Sequence, residues 1–459
     1  MQNVTKSRRS AMVVAAATAA GMLLAGCATA VSGTAQIGSE TPGTVVSSGV
    51  TGTGSVGSTA PSSGASRSSD SPSTGAPSSD EPPTSEGSSP PATSGDQGTS
   101  SPPDSTPSGT SGPAAGNDPS VYPTKPVQIE KNPSSPQDQA LAEARRLAAY
   151  VPVPSAIDPK YSEGGNISTL PFKGPSALQV LFTDPVPTVA QRAGMYTGFS
   201  SARGTVDHSG SLLTAAFVFP TAAAATKAAV SLSAASKSKD DKPLTIPGQP
   251  KAVGLVSSTS AQGFLAVGSV VGYVYTSAKA GKTAGFPALV SKTLAAETKS
   301  LAAYKPTPKD KLGTLLVDPD GLLARTLPEL AGKGTVFDGS WTPQAFLHYM
   351  IGYGSSVALF NKIKVDAVAA DRSTVYRAAD HTGALELAVT NVKQIAVAYP
   401  KMKPYATPGG TADTTCVADN LGAKYYCSGA VGRYTFEYWA ESEADMAKSV
   451  AAQVALLSS

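Results

Sequence analysis

The sequence predicts an α+β protein: two tandem, related domains of β-α-β-β-α type behind a long disordered tether. Three observations predict it. Gly, Pro, Ser and Thr fill 60 of the 80 positions from 41 to 120, and the first of the 29 aromatic residues is Tyr122. Beyond residue 136, helical and strand-like hydrophobic periods alternate. The same succession then returns 160 residues later. The chain of 459 residues therefore divides into 1–26, 27–136, 137–308 and 309–459.

The first segment reads as an export signal. Lys6, Arg8 and Arg9 precede an uncharged run from Ala11 to Gly26, the pattern of a basic n-region and a short apolar h-region. That run is shorter than the roughly 20 residues a membrane-spanning helix needs. It ends Leu24-Ala25-Gly26-Cys27, which matches the bacterial lipobox. Small residues fit the peptidase subsite ahead of the cut, and the cysteine thiol accepts diacylglycerol and becomes the new N-terminus. Cys27 is the expected lipidation site, with 1–26 a lipoprotein signal peptide and the mature chain held by acyl groups such as palmitate on the outer face of the cytoplasmic membrane. Each buried methylene contributes about 0.8 kcal/mol, so two or more acyl chains anchor stably. The alternative is an ordinary signal that happens to end in cysteine. Ser7-Arg8-Arg9 matches a twin-arginine signal faintly, with Ala11 and Met12 out of pattern, so general secretion is expected.

Residues 27–136 follow as tether. Such a composition buries too little apolar surface to offset the entropy of ordering, which predicts disorder. A coil from Ala28 to Pro136 spans about 55 Å root-mean-square. A plain spacer and O-glycosylated Ser/Thr-Pro stretches both fit the composition. The formal charge of +3 is too small to favour nucleic acid. Its distribution is uneven: +3 over 1–27, −7 over 28–120 and +7 over 121–459. Loss of the signal leaves a formally neutral chain whose basic folded part allows contact with an anionic envelope polymer or lipid.

In the folded part, Gln137–Tyr150 has Leu141, Ala144, Arg145, Leu147 and Ala148 in helical rhythm. Ser211–Phe219 is short and apolar, hence a strand, and alanine-rich Thr221–Ser236 is a helix opened by Pro220 and Thr221. Ala252–Ser258 and Gly263–Ser277 read as a strand pair. Gly285–Tyr304 is a helix with Phe286, Leu289, Val290 and Leu294 on one face, stopped by Pro306. At an offset of 160, Thr221–Ser236 matches His381–Tyr399, Val271-Gly272 matches Val431-Gly432, and Phe286, Val290 and Leu294 match Met446, Val450 and Val454. Upstream, Thr188 and Gly198-Phe199 match Thr342 and Gly352-Tyr353 at an offset of 154. This pattern is read as a duplication, the alternative being one larger α/β domain without a true repeat.

The repeat bears on the cysteines. With Cys27 taken by lipid, Cys416 and Cys427 remain, and the offset of 160 aligns them with Val256 and Val267 on the two strands of the first hairpin. A turn at Asn420-Leu421-Gly422-Ala423 sets Cys416 directly opposite Cys427, where Cβ atoms are about 4.5–5.5 Å apart. Outside the cytoplasmic membrane this predicts a Cys416–Cys427 disulfide, two free buried thiols being the alternative.

No catalytic motif survives inspection. Lys279-Ala280-Gly281-Lys282-Thr283 imitates the end of a phosphate-binding loop, but Thr276 stands where the first glycine belongs. Asp318-Pro319-Asp320-Gly321 with Glu329 imitates a calcium loop with its glycine misplaced, and is read as a turn. Ser236 and Lys239 have Ser-x-x-Lys spacing without the companion motifs. His208, His348 and His381 lack metal-ligand spacing; His381 follows Asp380 at an expected helix start. No metal or cofactor is expected. Tyr434, Phe436 and Tyr438 share one face of a strand, with Thr435, Glu437 and Trp439 on the other. That pattern fits a strand packed under helices, or an aromatic-lined groove for an apolar or carbohydrate ligand.

The segments "VPVPSAIDPKY" (151–161), "GFSSARGT" (198–205), "FVFPTAAAATKAA" (217–229), "IPGQPKA" (246–252) and "DPDGLLARTLP" (318–328) resemble an actinobacterial, mycobacterial-type lipoprotein family defined only as a domain of unknown function. The resemblance covers about 125–459 and implies N-terminal and C-terminal family domains in a cell-envelope lipoprotein. These segments are not active-site motifs, so no catalytic residue is carried over. The core also resembles extracytoplasmic sensor and lipid-carrier domains at the level of fold. The expected role is a membrane-anchored, non-enzymatic module that binds an apolar ligand, an envelope polymer or a protein partner. The alternatives are an envelope hydrolase or transferase with a site assembled from distant residues, and a spacer between membrane and wall.

Overall fold

The computed structural model describes residues 122–164, 168–329, 333–407, 413–419 and 422–459. The signal segment, Cys27, the expected tether up to residue 121, and Asn420 and Leu421 of the expected turn lie outside the described residues. No helix among the described residues is long and apolar enough to cross a membrane.

Local chemistry starts each element. Helix α1 (Pro136–Ala148) opens on Ser135, whose hydroxyl accepts the Asp138 N–H, with Pro136 in the first turn where no N–H is needed. Helix α2 (Pro154–Ile157), strand β1 (Leu170–Phe172), helix α3 (Val186–Arg192) and the hairpin strands β2 (Thr197–Gly204) and β3 (Gly210–Val218) follow. The N-terminal half continues with α4 (Ala222–Ser236), β4 (Lys242–Pro243), β5 (Val253–Val256), β6 (Ser260–Val267), β7 (Val270–Ala278) and α5 (Phe286–Leu301). The C-terminal half contains β8 (Gly339–Trp341), α6 (Pro343–Phe346), α7 (Tyr353–Ile363), β9 (Ala367–Ala370), β10 (Ser373–Arg377) and α8 (His381–Ala398). It ends with β11 (Met402–Tyr405), β12 (Thr414–Asp419), β13 (Tyr425–Val431), β14 (Tyr434–Ala440) and α9 (Glu443–Ser458). Thr221, Asp380 and Ser442 cap α4, α8 and α9 by accepting the N–H of Ala224, Gly383 and Asp445.

The fold is α+β. Among the described residues the strands form two separate antiparallel sheets of seven, ordered β1-β2-β3-β7-β6-β5-β4 and β8-β9-β10-β14-β13-β12-β11. The two orders are the same, strand for strand, so the duplication extends to topology. In the first sheet α4 covers one face and α5 the other, with Phe217, Phe264 and Tyr273 under α4 and Val274 under α5. In the second, α8 covers one face and α9 the other. Each half is thus helix, sheet, helix, which satisfies both apolar faces of a strand.

A single offset does not hold. The buried faces of α4 (Ala225, Ala228, Ala229, Leu232, Ser233) and α8 (Ala384, Leu387, Ala388, Asn391, Val392) superpose at 159, and those of α5 and α9 keep 160. The hairpins do not. Cys416 and Cys427 lie in the core under α9, and the paired residues Gly254 and Gly263 stand at that register on the α5 side of the first sheet, at offsets of 162 and 164, so Val256 and Val267 are not their counterparts. The expected single strand over 263–277 breaks at Gly268, whose φ of 56° closes the β6–β7 turn. Gly432, at φ 53°, closes β13–β14 in the same place. Gly272 lies mid-strand in β7 and is therefore not the partner of Gly432. Gly198-Phe199 lies in β2 while Gly352-Tyr353 opens α7, so the 154 match is not structural. The β-α-β-β-α core expected from sequence is extended by the split strand and by three further strands in each sheet.

One apolar core crosses the middle of the folded part. Leu147 of α1, Phe199, Val218 and Leu301 from the N-terminal half pack with Trp341, Phe346, Val368, Tyr376 and Leu387 from the C-terminal half. Arg203, 1% exposed in β2, donates Nη2 to the carbonyls of His348 and Met350 and Nη1 to that of Ser162. Within the segment expected as tether up to Pro136, residues 122–135 run along the C-terminal half and touch it at several points. Tyr122 and Ile129 join the core under α9, and Val127 N–H bonds Ala324 O at 2.9 Å. This strap lies along the C-terminal half before the chain turns into α1.

Candidate functional site

The strap sets up the site. Tyr122 donates its hydroxyl to Asp445 on α9 and lies 3.5 Å from the Tyr438 hydroxyl. Arg372 stacks on both tyrosine rings, donates Nε to Tyr438 at 2.7 Å and Nη2 to Asp445 at 3.1 and 3.2 Å, and sits 3.7 Å from Glu329. Further along, Val317 N–H bonds Lys131 O, and Asn132 Nδ2 donates to Leu315 O. Between the strap, α1 and the C-terminal half opens a cleft of about 550 Å³.

Three walls line it. Glu130, Asn132, Pro133 and Ser134 come from the strap, and Asp138, Ala142, Arg145 and Arg146 from α1. Leu315 to Val317, Asp320, Leu323, Asp338 to Thr342, Asp366 and Asp371 come from the C-terminal half. Arg145 holds two walls together: its Nη2 donates to the carbonyls of Val336 and Asp338, and its guanidinium lies 5.7 Å from the Trp341 ring centre. Gly339 makes this possible. At φ 140° it adopts a conformation L side chains avoid, and a Cβ there would stand 2.6 Å from Arg145 Cζ.

Burial shifts the titrations. The Asp371 carboxyl, which accepts the N–H of Glu329 and Arg372, is pushed up to about 7 by burial and next by the charge of Asp338. Burial raises Asp338 as well, and lowers Arg145 to about 10. Perturbed carboxyls in a cleft are a recognised mark of functional sites.

Asp318 takes the part expected of a turn. Its oxygens accept the N–H of Leu322, Leu323 and Ala324 and the hydroxyl of Ser340, which occupies them with protein donors. Among the described residues no group of three or more His, Cys, Asp or Glu could hold a metal ion. His348 is buried, with Nε2 on Ala148 O, and burial drives it down to about 3. His381 bonds Gly432 O at 3.0 Å beside its Asp380 cap.

Cys416 and Cys427 are joined as a disulfide with Cα atoms 4.1 Å apart. The four aromatic residues of β14 are not brought to one groove. Phe436 and Tyr438 are buried under α9 with Met446 and Val450, and Tyr434 packs at the edge of that core. Trp439 lies on the opposite face, its ring centre 4.8 Å from Tyr426 and 5.7 Å from Tyr399. Sequence reasoning placed Arg145 in a helix without a part in any site, and missed Trp341, Asp338, Asp371 and Arg372. The available signal was Asp338-Gly339-Ser340-Trp341, an Asp-Gly turn running straight into a tryptophan.

Fold and cleft describe a two-domain α+β protein with a small-molecule-sized opening between its strap, first helix and C-terminal half. Residues 130–317 match the family described as Domain of unknown function (DUF7373) N-terminal, and residues 322–459 match its C-terminal counterpart. The chain belongs to this family and carries both of its domains in order. No curated protein matches it. Among solved structures, the extracellular domain of PknH from Mycobacterium tuberculosis is similar at 14% identity and a TM-score of 0.24, over 38% of this chain and 100% of that one.

Proposed function

We propose that the chain is a lipid-anchored cell-envelope protein whose folded part is a binding module, with its ligand received in the cleft between strap, α1 and the C-terminal half. The carrying observation is the cleft itself. Its volume of about 550 Å³ falls within the 300–1,000 Å³ range of small-molecule sites, and its lining mixes apolar walls with a few converging polar groups. The lipobox at Leu24–Cys27 supports the anchor and the envelope location.

Native mass spectrometry of the full chain, extracted from its own cells in mild detergent, tests the reading. The expected spectrum carries a bound small molecule that is lost in Leu316→Glu, a change on the cleft wall at a residue 48% exposed and so free of folding cost. A spectrum without adduct, or one unchanged by Leu316→Glu, would count against binding in this cleft. Turnover of ester probes by the same preparation would move the protein to the enzymes. Release of the Cys27→Ser chain from the membrane fraction tests the anchor.

A further inference from the structure

Resting on that reading, we infer that the ligand class is an organic ammonium with an apolar body. Six carboxylates line the cleft, from Glu130, Asp138, Asp320, Asp338, Asp366 and Asp371, against two guanidiniums. Both guanidiniums are engaged with protein: Arg145 with two carbonyls and the Trp341 face, Arg146 with Glu143 and Thr307. Asp320 and Asp366 are paired with Arg377, and Asp366 also with Arg433. Among the described residues, Glu130 and Asp371 form no ion pair within 4.0 Å. Asp371 meets backbone N–H groups only, on the inner wall, while Glu130 is exposed on the strap opposite.

The apolar component is equally local. Leu315, Leu316, Val317 and Leu323 line the same space, and Leu316 is one of few large apolar side chains left open to solvent among the described residues. A carboxylate partly removed from water gains most from a cation brought directly against it, and an anion would meet net repulsion. An ammonium on an apolar body satisfies both walls; a free amine and a lipid headgroup amine share that chemistry.

The test uses three probes with one body, 4-phenylbutylammonium, 4-phenylbutanol and 4-phenylbutyrate, titrated into the full chain in phosphatidylglycerol nanodiscs by calorimetry. The ammonium is expected to bind at least tenfold more tightly than the alcohol, with the carboxylate weakest. Asp371→Asn keeps the oxygen that accepts the two N–H groups and is expected to lower ammonium affinity about tenfold while sparing the alcohol. Glu130→Gln, at an exposed site, should lower it a few-fold. Leu316→Ser should weaken ammonium and alcohol alike. Competition by added phosphatidylethanolamine would assign the amine to a lipid headgroup, and its absence to a free amine; both outcomes support the class. Equal binding of ammonium and alcohol, or preference for the carboxylate, would overturn the class while leaving the cleft as a binding site. Failure of all three probes overturns the class too, and with an adduct-free native spectrum the binding reading falls with it.

Discussion

Asp371 is the side chain whose state is most sensitive to conditions. Its carboxyl titrates near 7 in the folded chain against 3.8 when free. Between those values the folded state keeps a proton that the unfolded state has released. The contribution to stability is therefore fully present below about pH 4, falls as pH rises, and is gone above about pH 7. The size of the loss is about 3 kcal/mol, allowing for partial screening. Asp371→Asn removes the slope. Urea unfolding of both chains at pH 4, 5.5 and 8 should show the variant gaining on wild type by about that amount across the range; parallel curves would show that Asp371 titrates normally. At this scale the sequence was partly legible. Two cysteines 11 residues apart around a turn have few ways to be arranged other than opposite each other, and they are bonded. The cleft was not legible, because Glu130, Arg145, Leu316, Trp341 and Asp371 are brought together by packing from distant positions, and none carries a local spacing rule.

Among elements, the β12–β13 hairpin carries the disulfide, and its counterpart β5–β6 carries Gly254 and Gly263 at the same register. The hairpin alone therefore forms without a crosslink, and the disulfide adds stability by restricting the unfolded chain. For so short a loop the contribution is about 2–3 kcal/mol. Urea midpoints of wild type should fall on reduction, while Cys416→Ala/Cys427→Ala should start at the reduced value and ignore reductant. A wild-type midpoint indifferent to reductant would mean that the bridge stabilises nothing. The same comparison explains why the duplication was readable in helices and blurred in strands. Buried helical faces repeat at a spacing that insertions would rotate out of the core, so α4 with α8 and α5 with α9 keep offsets of 159 and 160. Turns tolerate added residues: β5–β6 is joined by 257–259 and β12–β13 by 420–424, two residues more, so the offset is 162 from β5 to β12 and 164 from β6 to β13.

At the scale of the whole folded part, two complete sheets do not make two independent units. Phe199 and Val218 from one half and Trp341 and Tyr376 from the other occupy a single core, with Arg203 bridging to the carbonyls of His348 and Met350. The halves are expected to unfold together. Trp341 faces Phe199 across the shared core, so in a Trp341→Phe background the remaining Trp439, packed on Tyr399 and Tyr426, reports on the C-terminal half alone by fluorescence, whereas far-UV circular dichroism reports on both sheets. Phe199→Ala in β2 should cost about 3–5 kcal/mol and shift both midpoints equally. A fluorescence midpoint left in place while the dichroism midpoint drops would show separate folding. This coupling was invisible in the sequence, where each repeat has apolar residues enough for its own core.

The strap gives the folded part a mechanical direction. The chain enters at Tyr122, so a pull on the preceding residues is felt first by its contact with Asp445, then by the Val127–Ala324 and Lys131–Val317 backbone bonds. These contacts are spaced along one thin segment and load one after another, as in opening a zipper, whereas the sheets behind them share any load across many strands. The same segment supplies Glu130, Asn132 and Pro133 to the cleft. Tension applied to that segment would therefore part this wall of the cleft before it disturbs either sheet.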